Sequence, residues 1–108
     1  MKVRHYGLAC RSEQTADRFY EQFLGLKKSG PKALPAALSE TFFGLARDLA
    51  VISYAGDGIS FEVFIHEVEP SAARSPNHIC LEVSNLEAYL ERCRAMDVPV
   101  IRAPRGEQ

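Results

Sequence analysis

The hydrophobic pattern at the start of the chain has a period of two, which is typical of a β-strand. Between residues 2 and 10, one predicted face carries Val3, His5, Gly7 and Ala9, and the bulkier side chains lie on the other face. The bulkier face is suited to packing beneath a helix. The first face combines a His with small residues, so it predicts open space in front of the imidazole.

A helix is predicted directly after this strand. The apolar positions recur at the spacing of the buried stripe of an amphipathic helix. They are Ala16, Phe19, Tyr20, Phe23 and Leu24. Ser12 precedes the stripe, and Gly25 follows it as a residue suited to the left-handed position after a helix. The sequence therefore predicts a helix from about Glu13 to Leu24.

The segment after this helix carries weaker signals. Leu26–Lys28 predicts a short strand that stops at Ser29-Gly30-Pro31. Residues 31–35 predict no regular element. A short helical turn is predicted after Ser39, with Gly44 inside it.

Two stronger strands, Leu49–Tyr54 and Ile59–Val68, follow and are joined by a Gly-rich hairpin turn at residues 55–58. In the second strand, the face that a helix would cover carries Ile59, Phe61, Val63 and Ile65. Glu62 falls on the opposite face, in the middle of the strand, where an unpaired carboxylate is costly. Glu62 therefore needs a partner, and a cation is one candidate.

The strand-helix pattern occurs a second time, at an offset of 73 positions from His5 to His78. Residues 78–83 resemble residues 5–10, and a Leu stands three positions after the His in both. A His at the same place in two copies is the pattern of a duplicated fold built around a shared site.

A second helix and the start of another strand follow this repeat. Ser84 and Glu87 form a capping-box pattern ahead of an apolar stripe that ends near Met96. Val98–Ile101 then predicts the start of one more strand.

Length and composition predict one globular domain. The chain has 108 residues, of which 46% are hydrophobic and 25% charged. Residues 67–77 are a connector that contains Pro, Ser, Ala and Arg. We predict a first module at residues 1–69 and the start of a second at residues 77–108, inside a single domain of residues 1–108.

Charge and cysteine usage exclude several classes of partner and site. The formal net charge of −1 gives no electrostatic reason to expect nucleic acid or an anionic membrane. No apolar run has the length of a membrane-spanning helix, and the first residues lack the apolar core of a signal peptide. The odd number of cysteines, Cys10, Cys80 and Cys93, each in a predicted strand or on a helix face, predicts buried reduced thiols and a cytoplasmic protein rather than a disulfide frame. No two of them have the ligand spacing of a zinc finger.

The candidate metal site consists of two imidazoles, of His5 and His78, and one carboxylate, of Glu62. This ligand set suits a divalent transition metal with open positions, where a substrate or water can be polarised. A single His in a strand is more often a structural residue, and the repeat is what favours a metal site over that alternative. His66 shares a strand face with Glu62 but lies about 13 Å along the strand, so we expect it at the rim. Cys80 is expected to be a small buried side chain rather than a thiolate ligand.

Five short motifs in this chain resemble, in their order and spacing, those of one protein superfamily. The motifs are His5–Cys10, Phe19-Tyr20, Leu24–Leu26, Phe61–Phe64 and Asn77–Val83. They resemble the vicinal oxygen chelate superfamily, which includes glyoxalase I, methylmalonyl-CoA epimerase, extradiol dioxygenases and the bleomycin and fosfomycin resistance proteins. The resemblance covers nearly the whole chain, with a gap around residues 31–47.

The resemblance implies an α+β fold of paired βαβββ modules whose sheets curl around a cavity, with the second module incomplete in this chain. It implies that His5, Glu62 and His78 occupy three of the four metal-ligand positions of the family. In ligand type the chain is most similar to bacterial glyoxalase I (lactoylglutathione lyase), because the epimerases usually carry Gln where this chain has Glu62.

The fourth ligand of the family, a Glu on the final strand, has no counterpart here. Three explanations remain open: the chain is part of a longer one, a second chain supplies the missing strands, or the protein keeps the fold with an incomplete site. In the first and third cases an exposed sheet edge favours pairing with a second copy, so we expect a homodimer.

Three functions are compatible with these residues. The first is a metal-dependent lyase or isomerase of the glyoxalase type, in which a divalent metal ion (nickel, zinc, cobalt, manganese or iron) chelates adjacent oxygens of a small-molecule substrate and stabilises an enediolate. Glu62 would be the catalytic residue that transfers the proton. The second is a metal-free binding protein of the resistance type, and the third is an iron-dependent dioxygenase. The sequence does not identify the substrate.

Overall fold

The computed structural model describes residues 2–66 and 80–101. The chain divides into two units, Met1–Pro70 and Ser71–Gln108, and each is described by itself.

A four-stranded mixed sheet forms the centre of the first unit. Its strands are β1 (Tyr6–Cys10), β2 (Lys27–Leu34), β3 (Leu49–Gly56) and β4 (Ile59–Ile65). Their order across the sheet is β1-β4-β3-β2; β1 runs parallel to β4, and the other neighbours are antiparallel. With the helix between β1 and β2, this is the βαβββ module that the resemblance implied.

The helix after β1 begins and ends close to the predicted residues, but only its first part is α-helical. It begins as α1 (Glu13–Ala16), where Ser12 Oγ accepts a hydrogen bond from the Thr15 backbone N–H, and continues as a π-helical segment, Asp17–Phe23. Gly25 follows with φ of 75°. A π-helical turn holds more residues than an α-helical turn, so a stripe with α-helical spacing drifts along it. Phe19, expected in the buried stripe, accordingly lies at the edge and is 37% exposed.

The hydrophobic core lies between this helix and one face of the sheet. Its buried members are Ala16, Tyr20, Ile52, Tyr54, Phe61 and Val63. The ring of Tyr20 lies 5.1 Å from the rings of both Tyr54 and Phe61. The prediction that Phe61 and Val63 face a helix is therefore confirmed.

A polar network joins the helix to the sheet beside this core. Lys28 Nζ donates to Glu13 Oε2 at 2.6 Å and to Asp17 Oδ2 at 2.9 Å, and Tyr54 Oη donates to Asp17 Oδ1 at 2.8 Å. The hydrogen bond from Lys28 lowers the pKa of Asp17, against desolvation, and Tyr54 adds to the lowering. Burial and the bond to Asp17 raise the pKa of Tyr54.

Asp17→Asn is expected to reduce the pH dependence of stability in the acid range. Because the folded pKa of Asp17 is depressed, its contribution is present above the unfolded pKa and is lost as pH falls through the folded pKa. The side chain is 22% exposed, so we expect a contribution of about 1 kcal/mol. Urea unfolding at several pH values between about pH 6 and pH 2 measures it.

Asp57→Asn, in the exposed hairpin turn, is the matched control for this variant. It should retain the wild-type decline in the free energy of unfolding, whereas Asp17→Asn should decline less steeply. Identical pH profiles for the wild type and Asp17→Asn would contradict the assignment.

Strand β2 continues past the point where the sequence predicted it to stop. Ser29 pairs with Ser53 and Lys32 with Val51, so Gly30 and Pro31 together oppose a single residue of β3. This is a β-bulge, and β2 lies at an edge of the sheet, where a Pro is tolerated. The prediction that Ser29-Gly30-Pro31 ends the strand was wrong because the bulge accommodates these residues.

The bulge also changes which face of the sheet the following residues occupy. Side chains alternate between faces along a strand, and one extra residue inverts the alternation. Lys28 lies on the helix-covered face, where it binds Asp17. Lys32, four positions later, would share that face in a regular strand, but it lies on the opposite face beside Val51.

Helix α2 (Ala36–Phe43) is longer than the predicted turn and begins before Ser39. Its first N–H group, of Ala36, donates to Asp48 Oδ1 at 2.8 Å. Gly44 has φ of 71° and ends the helix, so the prediction that Gly44 lies inside it was wrong. A glycine in this left-handed conformation is a common helix stop.

Strands β3 and β4 form the predicted hairpin. β3 extends to Gly56, and β4 ends at Ile65 rather than at Val68, which lies outside the described residues. The His66 N–H donates to the Cys10 carbonyl at 2.8 Å, so the pairing with β1 extends just beyond the end of β4.

The second unit contains helix α3 (Leu86–Ala95). Asn85 caps it by accepting a hydrogen bond from the Ala88 N–H at 3.1 Å, so the predicted cap at Ser84 was one residue early. Cys80 is exposed and not buried as predicted. Residues 80–83 and 98–101 form no strand, contrary to prediction. A strand needs a neighbouring strand to pair with its backbone N–H and C=O groups, and the described part of this unit contains no such neighbour. Within residues 2–66 and 80–101, no helix has the length and apolarity needed to span a membrane.

Candidate functional site

The face of the sheet opposite the core forms one wall of a cavity of about 630 Å³. Strands β1 to β4 and the end of α2 contribute its lining. The lining residues are His5, Gly7, Leu8, Ala9, Lys32, Ala33, Leu34, Phe42, Phe43, Leu45, Leu49, Val51, Glu62, Phe64 and His66. This volume lies in the range of small-molecule sites, which are typically about 300–1,000 Å³. The open space that the sequence predicted in front of His5 is present.

His5 and Glu62 meet on this wall. The parallel pairing of β1 with β4 places Gly7 beside Glu62. His5 directly precedes the first residue of β1 and lines the same cavity as Gly7. His5 Nε2 is 3.3 Å from Glu62 Oε2, and the side chains are 46% and 38% exposed. The predicted partner of the mid-strand carboxylate is therefore an imidazole.

The separation of these two atoms suits donors to one metal ion. Ligands about 2.1 Å from a common ion lie about 3.0 Å apart at octahedral angles and about 3.4 Å apart at tetrahedral angles. The 3.3 Å between His5 Nε2 and Glu62 Oε2 falls between these values. Imidazole nitrogen and carboxylate oxygen are also the donor types that such ions accept. The residues present thus fit two positions of the metal site that the sequence predicted.

His78, the third predicted ligand, lies outside the described residues. Among the residues that are described, no group of three His, Cys, Asp or Glu side chains is close enough to hold a metal ion. The three-residue ligand set therefore stays a prediction, of which the structure brings two members together.

His66 lies on the wall of the same cavity, although the sequence predicted only a rim position. Its Nδ1 contacts Arg47 Nη2, which comes from the loop between α2 and β3. The signal for a cavity position was present in the sequence, since His66 shares the strand face of Glu62.

Apolar side chains make up most of the remaining wall. The ring of Phe43, at the end of α2, lies 5.1 Å from the ring of Phe64 on β4, in an edge-to-face arrangement. Strand alternation places Phe64 on the same face of β4 as Glu62, but the sequence did not predict that α2 contributes to the wall. Phe42 and Phe43 stay 64% and 50% exposed, so this part of the wall is open to solvent.

The chain matches known proteins at the level of family and fold. A model of the Glyoxalase/Bleomycin resistance protein/Dioxygenase superfamily matches residues 4–108. The crystal structure of SMU.1112c is similar to this chain with a TM-score of 0.62 and 15% sequence identity, over 99% of this chain and 83% of that one. At this identity the similarity concerns the fold alone. No curated protein sequence matches the chain.

Proposed function

The chain belongs to the glyoxalase/bleomycin resistance protein/dioxygenase superfamily, and on that basis we propose that it is a metal-dependent lyase or isomerase of the glyoxalase type. Its substrate would be a small molecule with two adjacent oxygens and a proton on a carbon beside them. The observation that carries this proposal is the His5–Glu62 pair, with donor atoms 3.3 Å apart on the wall of a largely apolar cavity.

In this proposal His5, Glu62 and His78 hold a divalent cation. The separation of the donor atoms supports the first two residues, and the sequence repeat supports His78. Nickel, zinc, cobalt, manganese and iron all accept this set of ligands. When bound, such an ion would draw negative charge away from the substrate oxygens and so make the neighbouring carbon-bound proton more acidic.

Glu62 is the residue that we propose to move the proton. A carboxylate oxygen accepts the proton from one carbon, the electrons of the broken C–H bond stay on the substrate, and the same oxygen returns the proton to the adjacent carbon. His5 lies within reach of this carboxylate and holds it on the cavity side of β4. The rings of Phe43 and Phe64, 5.1 Å apart, form an apolar part of the wall of the same cavity.

A metal-free binding protein is the second candidate, and the same pair of residues supports it. At 3.3 Å, His5 Nε2 and Glu62 Oε2 also lie within contact distance of each other without a metal. An apolar cavity of this volume can then bind an organic molecule by burial of its surface alone. A dioxygenase would use the same ligands with iron, so the identity of the metal separates that activity from a lyase.

Elemental analysis of the purified chain and its His variants tests the proposal. We expect about one divalent ion per chain in the wild type and a much lower metal content in His5→Ala, because the variant lacks one of the proposed ligands. His66→Ala is the matched control, because it removes an imidazole from the same cavity but not from the proposed site.

Three results would oppose the proposed lyase. A wild-type chain without metal would favour the binding protein, iron alone would favour the dioxygenase, and equal metal loss in both variants would place the ion elsewhere. The homodimer expected from the sequence stays a prediction.

A further inference from the structure

The cavity wall carries opposite charges at different places. Glu62 lies on β4 beside His5, and Lys32 lies on β2, two strands away and one row further along the sheet. Two strand spacings alone correspond to roughly 10 Å between backbones. Val51 and Phe64, both apolar, lie in the row that contains Lys32.

Lys32 reaches this position only because of the bulge at Gly30 and Pro31. A regular β2 would place Lys32 on the helix-covered face with Lys28, which already binds two carboxylates there. Gly30 has φ of 103°, and a Cβ at this position would lie 3.1 Å from the Val51 carbonyl oxygen. Gly30 is therefore the residue type that suits the bulge, and the bulge directs an ammonium group to the cavity.

Lys32 has no carboxylate partner among the described residues. The described ion pairs involve His5–Glu62, Lys28–Glu13, Lys28–Asp17 and Arg94–Glu91. The second cation beside the cavity, Arg47, contacts the ring of His66. Among the described residues, the part of the wall away from Glu62 thus has an excess of positive charge.

We propose that the cavity binds a substrate with a carboxylate at one end and that Lys32 binds this carboxylate. The inference rests on the proposed function, since it places the two adjacent oxygens at His5 and Glu62. An apolar middle section of the substrate would cross Val51 and Phe64. The substrate class is therefore a hydroxy- or oxo-acid whose carboxylate lies roughly 10 Å from the chelating oxygens, the spacing of two strands.

Two hydroxamic acids with the same number of carbon atoms test this inference. The monohydroxamate of suberic acid has two adjacent oxygens at one end and a carboxylate at the other, whereas octanohydroxamic acid ends in a methyl group. Isothermal titration calorimetry measures the affinity of each for the wild type, Lys32→Gln and Lys27→Gln. Lys27 is the matched control, because it is an exposed lysine on the same strand that does not line the cavity.

We expect Lys32→Gln to weaken binding of the suberic derivative about five- to tenfold, since a charge-assisted hydrogen bond is lost. Octanohydroxamic acid should change less than about twofold, and Lys27→Gln should change neither ligand. Equal weakening of both ligands by Lys32→Gln, no change in either, or no binding of the suberic derivative to the wild type would overturn the inference.

Repeating the titrations with His5→Ala separates this inference from the proposed function. Loss of the metal weakens both hydroxamates by the same factor, because they share the chelating group. If Lys32 binds the carboxylate, the ratio between the two affinities should still fall when Lys32 is replaced by Gln. A chain that binds no metal but keeps this ratio would refute the lyase and retain the anion site.

Discussion

In the proposed lyase, Glu62→Gln is expected to lower the rate of proton transfer about 10²- to 10⁴-fold without unfolding the chain. Gln has the size of Glu and an amide oxygen that can still face an ion, but it cannot accept a proton from carbon. The measurement is the conversion of the hemithioacetal of methylglyoxal and glutathione, followed with the metal identified by elemental analysis. The melting temperature should stay close to that of the wild type, because Glu62 is 38% exposed and outside the core.

Glu40→Gln is the matched control for this rate. Glu40 is exposed on α2 and does not line the cavity, so the same chemical change there should leave turnover unaltered. A Glu62→Gln variant with the wild-type rate would remove Glu62 from the proton transfer. If Glu62→Gln loses its metal, the lower rate follows from the missing ion and does not support a role of Glu62 in proton transfer.

The cavity side on which His5 and Glu62 lie was predictable, because it depends on local alternation. Each of them alternates with bulky apolar side chains along the chain, and the bulky side had to be covered by the helix. That the two strands are neighbours was not contained in either pattern. The parallel pairing of β1 with β4 is seen only in the structure.

Contacts between residues distant in sequence account for what could not be predicted. The first N–H of α2 is satisfied by Asp48, twelve residues after Ala36, so the start of this helix has no local polar cap. Strand β2 passes through Pro31 because it lies at the sheet edge, where a missing backbone donor is tolerated. The position of Lys32 depends on that bulge, and alternation counted from Lys28 predicts the wrong face.

His66 illustrates a different limit of the sequence pattern. His66 lies four residues after Glu62 along the strand, and the distance estimated from the strand rise suggested that it is remote from the site. A cavity that extends over several rows of the sheet includes both residues, and Arg47 is brought to His66 from another loop. The width of a cavity depends on the packing of α2 and the strands, which alternation along one strand does not describe.

Phe61→Ala is expected to reduce the free energy of unfolding by about 3–5 kcal/mol, the range for a fully buried Phe. Phe61 is 0% exposed, and its ring lies 5.1 Å from the ring of Tyr20 and 5.9 Å from that of Tyr6. The truncation leaves a cavity between the helix and the sheet. Because domains have only about 5–15 kcal/mol of stability, this loss is a large share of the total.

Phe42→Ala makes the same chemical change at a side chain that is 64% exposed, and we expect a loss below about 1 kcal/mol. Urea unfolding followed by circular dichroism measures both variants, since the chain has no Trp. Similar losses of unfolding free energy for the two variants would contradict this core.

Glu62 lies directly beside Phe61 on β4, so partial unfolding of Phe61→Ala should also weaken metal binding at the proposed site, whereas Phe42→Ala should retain it. The loss of stability and the weaker metal binding in Phe61→Ala are linked because side chains alternate along β4, so that one face forms the core and the other the site.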